Sequence, residues 1–418
     1  MADRCDVVII GGGMVGLTAA CALGDSDLRV IVLEANPIET RWPEADIGLR
    51  VSAITHASRN IFDSVGAWPG MVERRVTPYG EMRVWDANGS GEIHFDSSEI
   101  GEPNLGYIIE NRIIQAALYE QAQRFDNIDV RCGVRWQQWF DGGDHLRIRL
   151  DDGSQLETRL LVGADGARSP VRQKAGIETR GWGYDQSAVM AIVKTEKPHR
   201  HTCWQRFLDQ GPLAFLPMHD NHSCVVWSTA PEEAQTLLAD EADTFKLKLA
   251  EAFDQTLGAI TELGPRGAFP LRLQHTLDYV RERIALVGDA AHAIHPLAGQ
   301  GVNLGTLDAA ALAETVLAGH QQGRDIGRLT TLRKYERQRK GQNIAMMLAM
   351  DGFKRLFGQQ TPALQWARNT GLKLTDKTPP LKHLFMAYAM GDRGDLPQRA
   401  LRDYSEMRER ARAAAAFT

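Results

Sequence analysis

Apolar residues recur along the chain with two different spacings, and the change of spacing divides it. Val7–Ile10 is an unbroken run of β-branched residues, the pattern of a parallel strand covered on both faces. Met14–Leu23 follows with small and apolar residues at helical spacing, and Arg29–Glu34 is a second apolar strand, which together make one βαβ unit. Asn111–Phe125 is helical, with Ile113, Ile114, Ala117, Leu118 and Ala122 on one face. Strands are predicted over Ile128–Val134, Leu146–Leu150 and Leu156–Val162, with turns at Asp141-Gly-Gly and Asp151-Asp-Gly between them.

From Gly181 to Thr229 the period shortens. Ala188–Thr195, Thr202–Leu208 and Ser223–Ser228 are rich in β-branched and aromatic residues, as in an antiparallel sheet facing a pocket. A single helix is predicted over Glu232–Phe253. Ile284–Val287 is again a short buried strand that returns the chain to the first sheet. Asn303–Ala318, Gly327–Gly358 and Pro362–Lys373 are predicted helices, and the charged, alanine-rich tail beyond Gly391 is predicted to be a loosely docked helix. The expected fold class is α/β: a Rossmann-like domain with a parallel sheet, an inserted domain with an antiparallel sheet, and C-terminal helices. The first takes residues 1–75, 105–180 and 280–325, the second 76–104 and 181–279, and the helical region 326–418.

With 418 residues, 43% hydrophobic and 24% charged, the chain has the composition of a soluble globular protein of two or three units. Its net charge of −5 gives no reason to expect nucleic acid as a partner. Five cysteines (Cys5, Cys21, Cys132, Cys203 and Cys224) are odd in number and form no C-x-x-C pair. That argues against a disulfide framework or a zinc site and fits a reducing cytoplasm. The uncharged stretch Val7–Leu23 could pass for a signal peptide, but Asp3 and Asp6 precede it and three glycines interrupt it, so strand–turn–helix is the better reading. No other segment is apolar for long enough to span a bilayer, so the chain is expected to be soluble or attached to a membrane surface.

Gly11-x-Gly13-x-x-Gly16 places glycines where a turn is tight, where backbone must approach a pyrophosphate, and where helix packs on strand. The helix start that follows offers unpaired N–H groups to phosphate. Glu34, 18 residues beyond Gly16, ends the next strand in position to accept ribose hydroxyls. Asp165 stops another strand and either meets a cofactor hydroxyl or caps the helix after it. Gly288-Asp289 repeats that arrangement after Ile284–Val287, and two such ends beside one dinucleotide site favour a ligand role for both.

Pro296–Gly301 is an irregular, glycine-rich approach to a helix beginning near Asn303. The N–H groups of Gly301 and Val302, with the Asn303 side chain, would stabilise negative charge on a ring lying against them. One extended cofactor gripped from two segments about 270 residues apart is what FAD requires. His292 and His295 lack a third local ligand, which leaves packing or hydrogen bonding and no metal. Arg50 and Arg112 are either surface arginines or contacts to cofactor or substrate. No second glycine fingerprint exists for a permanent nicotinamide domain.

These sites in this order resemble the flavin hydroxylases of the p-hydroxybenzoate hydroxylase fold, and within them the ubiquinone-biosynthesis hydroxylases. The resemblance is carried by Arg50-Val-Ser-Ala-Ile-Thr-His-Ala-Ser58, Leu105-Gly-Tyr-Ile-Ile-Glu-Asn111, Ala214-Phe-Leu-Pro217 and Gly288–Gly305, with His295-Pro-Leu-Ala-Gly-Gln-Gly-Val-Asn303 the most specific. Trp227–Gln235 and Leu332–Lys340 look most like the bacterial 2-polyprenylphenol hydroxylases. Ala293 departs from the threonine of most relatives. The resemblance implies an FAD-dependent aromatic monooxygenase: NAD(P)H visits transiently and reduces FAD, O2 adds at flavin C4a, and the hydroperoxide hydroxylates a polyprenylated phenol. Cofactor binding is then expected at Gly11, Gly13, Gly16, Glu34, Arg50, Arg112, Asp165, Gly288, Asp289, Gly301, Val302 and Asn303. Pro296, Gly299 and Gln300 would line the flavin ring, with no side-chain acid or base identified.

Two other readings stand beside this one. They are a flavin reductase of a prenyl substrate with the same fold, and a non-catalytic scaffold among other ubiquinone-biosynthesis proteins. Arg333–Phe357 alternates basic and apolar residues, as does a helix lying on anionic lipid or a scaffold helix with one solvated face. The expected location is cytoplasmic, with peripheral contact to the inner membrane as the alternative.

Overall fold

In a computed structural model of the chain, residues 3–293, 301–358, 369–371, 374–391 and 394–402 are described. The first sheet is built around Asp3–Ile10, whose Val7, Val8 and Ile9 are fully buried. It pairs in parallel with Val30–Glu34 on one side and Gln155–Gly163 on the other. Ile128–Cys132 extends the sheet beyond Val30–Glu34, and Ile284–Leu286 extends it beyond Gln155–Gly163, both in parallel. Strands buried on both faces need covering on both, which explains their unbroken apolar runs. The helices Met14–Ala22, Asn111–Ala122 and Gly301–Gln321 contribute Leu17, Ile114 and Leu312 to that cover, all in one core with the strands.

The second sheet is antiparallel except where Thr202–Leu208 meets Glu81–Asp86. Two 17-residue strands, Thr179–Thr195 and Ile260–Thr276, pair along their length, and His222–Thr229, Gly211–Pro217 and Thr202–Leu208 continue from them. One face packs Val189, Val193, Phe215 and Val225 against Phe245, Leu249 and Phe253. The other packs Met190, Ile192 and Cys224 against Ala53 and Ile108 of a three-stranded sheet made by Val51–Ile54, Gly106–Glu110 and Thr77–Tyr79.

Three differences from the sequence expectation have physical causes. Ile260–Thr276 escapes pattern analysis because Gly264, Pro265, Gly267 and Pro270 interrupt its alternation and its register slips in three places. The helix expected over Glu232–Phe253 is two helices, Pro231–Ala239 and Ala242–Ala252. Asp240 is extended between them, its carboxylate held by Lys248 at 2.7 Å, while Arg266 donates to the Leu237 and Asp240 carbonyls at 3.1 and 3.0 Å. Apolar spacing runs on across that break, so it leaves no periodic signal. The helix expected from Asn303 begins at Gly301 and runs to Gln321. Of Pro362–Lys373 only 369–371 lie within the described residues, where they are helical, and 403–418 of the tail lie outside them.

The helix Leu329–Gly358 packs part of its apolar side inward and leaves Leu348 exposed. Leu332 and Tyr335 are fully buried, Met347 packs with Leu273 and Leu304, and the basic Arg339 is fully buried too. Among the described residues no helix is long and apolar enough to cross a membrane.

Arg283 anchors the return of the chain to the first sheet. It adopts a left-handed backbone (φ 62°), is 1% exposed, and donates to Gly143 O at 2.8 Å, Arg159 O at 3.1 Å and Asp325 Oδ2 at 2.7 Å. Arg283→Met would take a donor from two carbonyls and remove the nearest cation of the partly buried Asp325. It is expected to cost about 2–4 kcal/mol, measured as a lower urea midpoint of the purified protein.

Candidate functional site

The three glycines of the opening turn have three separate reasons to be glycine. Gly11 has φ +107°, and a Cβ there would stand 2.4 Å from Ala164 O. A Cβ on Gly16 would stand 2.0 Å from Gly11 O, so the helix can lie this close to the strand only without one. Over Gly13 a Cβ would meet nothing within 4 Å. Gly13 is also the N-cap of Met14–Ala22 and supplies no capping side chain. Open space over an uncapped helix start is the cradle a phosphate requires.

Neighbouring side chains fix this turn. Glu34 Oε2 accepts from Gly12 N at 2.7 Å and Oε1 from Asn36 N at 3.0 Å, which uses two of the carboxylate's four acceptor positions. Gln115 Nε2 donates to Gly12 O at 2.8 Å from the helix Asn111–Ala122. Gln115 was not picked out in sequence, because one glutamine on an amphipathic helix carries no signal. Arg112, one turn before it, donates to Glu110 Oε2 at 2.9 Å and Asp46 Oδ2 at 2.7 Å and lies over the Trp42 ring.

Asp165 caps a helix and keeps one oxygen free. Its Oδ2 accepts from Val171 N at 3.0 Å at the start of the short helix Pro170–Lys174, while its Oδ1 is buried with no partner. Burial raises its pKa, against hydrogen bonds from Ser169 and Val171. A buried carboxylate oxygen aimed at nothing is costly and marks where a donor from a ligand would be welcome. Asp289 is exposed to solvent, although protein packs densely around it. That crowding pushes its pKa up, and the charges of His292 and Arg50 pull it down. Arg50 itself is exposed and lies over the Phe269 ring at 5.2 Å.

The two remote segments meet at Val15. A Cβ on Gly288 (φ +58°) would come within 3.2 Å of both Val15 methyls, and one on Gly305 within 2.6 Å of Val15 Cγ2 and 3.1 Å of Gly288 Cα. The opening helix, the second acidic turn and the helix Gly301–Gln321 therefore interlock at one joint. Gly301 and Val302 are half-buried at the start of that helix. The Asn303 side chain, expected to face a ring, accepts at Oδ1 from Thr55 N at 3.1 Å and donates from Nδ2 to Ala53 O at 2.7 Å, which latches the helix start to Val51–Ile54. His292 points into the core, Nε2 to Asp308 Oδ2 at 2.5 Å. His295, Pro296, Gly299 and Gln300 lie outside the described residues.

An uncapped helix start under open space, an unpartnered buried acceptor at Asp165 and a crowded acid at Asp289 fit an extended dinucleotide such as FAD. The raised carboxyl of Asp289 also has a consequence for the protein without ligand. A carboxyl whose pKa is higher folded than unfolded loses stability as pH rises through the carboxylate range. Asp289→Asn is therefore expected to raise the melting temperature of the ligand-free chain at neutral pH, by on the order of a degree, with no gain at acid pH. Thermal melts at the two pH values check this.

The comparisons agree with that geometry. A family model described as "FAD binding domain" matches residues 4–348. The ubiquinone biosynthesis monooxygenase COQ6 (mitochondrial) of Danio rerio is 36% identical, over 92% of this chain and 89% of its own length. The ubiquinone hydroxylase UbiL of Rhodospirillum rubrum is 37% identical over the same shares. The 3-demethoxyubiquinol 3-hydroxylase of Escherichia coli is 34% identical over 92% of this chain and 98% of its own. Among solved structures, p-nitrophenol 4-monooxygenase PnpA of Pseudomonas putida superposes with a TM-score of 0.77 at 20% identity, over 93% of this chain and 99% of that one, a likeness of fold. The chain belongs to the FAD-binding-domain family, among the flavin monooxygenases of ubiquinone biosynthesis.

Proposed function

We propose that this chain hydroxylates the aromatic ring of a polyprenylated phenol in ubiquinone synthesis, with bound FAD, NAD(P)H as transient electron donor and O2 as co-substrate. The observation that carries the reading is the joint at Val15, which makes one surface of the glycine turn, the Gly288–Asp289 turn and the helix start at Gly301. Gly11, Gly13 and Gly16 admit the pyrophosphate to the first helix start. Glu34, with two acceptor positions left, takes the ribose hydroxyls. Asp165 and Asp289 accept from hydroxyls or phosphate-bound donors along the middle of the cofactor, with Gly288 keeping the second turn tight. Arg50, beside Asp289, and Arg112, beside Gln115, are the cations available to the cofactor.

At the far end Gly301 and Val302 present the positive end of a helix to the flavin ring, and Asn303 fixes where that helix starts. Pro296, Gly299 and Gln300 are assigned to the ring's surroundings. FAD, when bound, supplies the redox and oxygen chemistry. The residues bind it, orient it and exclude water. A prenyl chain would reach the protein from a membrane surface, and the helix Pro379–Ala389 leaves Leu381, Leu384, Phe385 and Tyr388 exposed on a face that could meet one.

Three measurements test this reading. NAD(P)H and a polyprenylated phenol together should produce O2 uptake with ring hydroxylation, whereas loss of a prenyl double bond without O2 uptake would favour the reductase. Gly11→Ala places a methyl group into the Ala164 carbonyl at a left-handed backbone position, and the purified variant should retain at most about a tenth of the wild-type flavin. The protein should co-sediment with anionic vesicles at low salt, and failure to do so removes the membrane contact.

A further inference from the structure

Behind the Gly288–Asp289 turn lies a carboxylate that the roles above leave unused. Asp308, three residues beyond Gly305 on the helix Gly301–Gln321, is fully buried. An isolated charge there would be several kcal/mol too costly, so its neighbours must account for it. Oδ2 accepts from Gly288 N at 3.2 Å and from His292 Nε2 at 2.5 Å. Oδ1 accepts from Arg339 Nε at 2.9 Å and Asn343 Nδ2 at 3.0 Å. His292, Arg339 and Asn343 are themselves 1%, 0% and 0% exposed. Arg339 donates onward to Asn343 Oδ1 at 3.0 Å and to Gln342 Oε1. Burial pushes the Asp308 pKa up, but the charge and hydrogen bond of His292, with Arg339 and Asn343, outweigh it and hold the carboxyl below its usual range.

The placement of these donors is what makes them informative. Gly288 and His292 stand on either side of Asp289, and one carboxylate grips both. Between them the chain makes a single tight turn closed by Ala291 N on Gly288 O at 2.8 Å. His292 is also fixed by the pairing of His292–Ala293 with Gln274–His275. From the other side, Arg339 and Asn343 hold Asp308 from the buried face of Leu329–Gly358. A glycine at φ +58° has no side chain to define its turn, so the acceptor behind it does so.

We propose that Asp308, held by Arg339 and Asn343, is a positioning residue that sets the Gly288–His292 turn and so aims Asp289 at the flavin cofactor. The inference rests on the function proposed above, in which FAD lies against that turn. A network serving only to staple Leu329–Gly358 to the body would support folding and nothing else, and the two roles separate by experiment. His292→Gln keeps a donor toward Asp308, His292→Leu removes it, and Asp308→Asn leaves Gly288 N–H and Arg339 with an impaired acceptor.

FAD is titrated into the full-length ligand-free proteins by quenching of flavin fluorescence, with the bound flavin's visible spectrum and the melt of the ligand-free chain measured alongside. The Leu variant should bind FAD about tenfold or more weakly and with an altered spectrum at a nearly unchanged melt, and Gln should stay within about threefold of wild type; the Asn variant should weaken FAD binding as well, at a lower melt, because it leaves Arg339 buried without its counter-charge. Unchanged FAD affinity in the Leu variant would overturn the proposal. So would a loss of affinity in the Leu variant that only follows a loss of folding, including failure to fold at all, because the network would then serve the fold and not the turn. Wild-type protein that binds no FAD would instead refute the function on which the proposal rests.

Discussion

Close packing of two glycines around one valine is the constraint from which the rest of the site follows. Val15 belongs to the first turn of the first helix, Gly288 to a turn after the last long strand, and Gly305 to a helix beyond that. A Cβ at Gly305 would stand 2.6 Å from a Val15 methyl and 3.1 Å from Gly288 Cα, and Gly288 adds a left-handed backbone (φ +58°) to its 3.2 Å approach to Val15, so a side chain at either would force the two turns to shift. An extended cofactor needs its two halves bound at a fixed separation. Here that separation is set by van der Waals contact between backbone and two methyl groups, with no adjustable side chain in between.

Around this joint the polar groups fall into two kinds. Some are satisfied and hold the frame: Asn303 on the Ala53–Thr55 backbone, Arg283 on two carbonyls and Asp325, Asp308 on four donors. Others are left incomplete, namely the second oxygen of Asp165, the crowded carboxyl of Asp289 and the uncapped helix start above Gly13. Native structures rarely leave a buried acceptor unsatisfied, so the free oxygen of Asp165 is a place for a ligand's donor.

Much of this was legible in the sequence because the first sheet is made of short, doubly covered strands whose apolar runs have no other explanation. The glycine pattern and Glu34 could be placed for the same reason. Irregular pairing hid Ile260–Thr276, where glycines and prolines interrupt a long strand, and a break without loss of apolar spacing hid the two helices between Pro231 and Ala252. At the site, the side chain of Asn303 could be assigned to a ring or to a neighbouring strand with equal ease, since spacing along a helix says nothing about what stands opposite. Gln115 and the Asp308 network were invisible for a further reason: each draws its meaning from partners 16 to 103 residues away.

The order of strands in the first sheet bears on how the protein matures. Ile284–Leu286 joins the sheet beside Gln155–Gly163 only after about 120 intervening residues have been built into the second sheet and its helices. Until then a nascent chain carries an open parallel edge and half of a nucleotide cradle, a species prone to misassociation. Pairing across so long an interval is the kind of non-local contact that forms slowly. Coenzyme uptake would then act as a late checkpoint on assembly, favouring only chains whose last strand has found its neighbour.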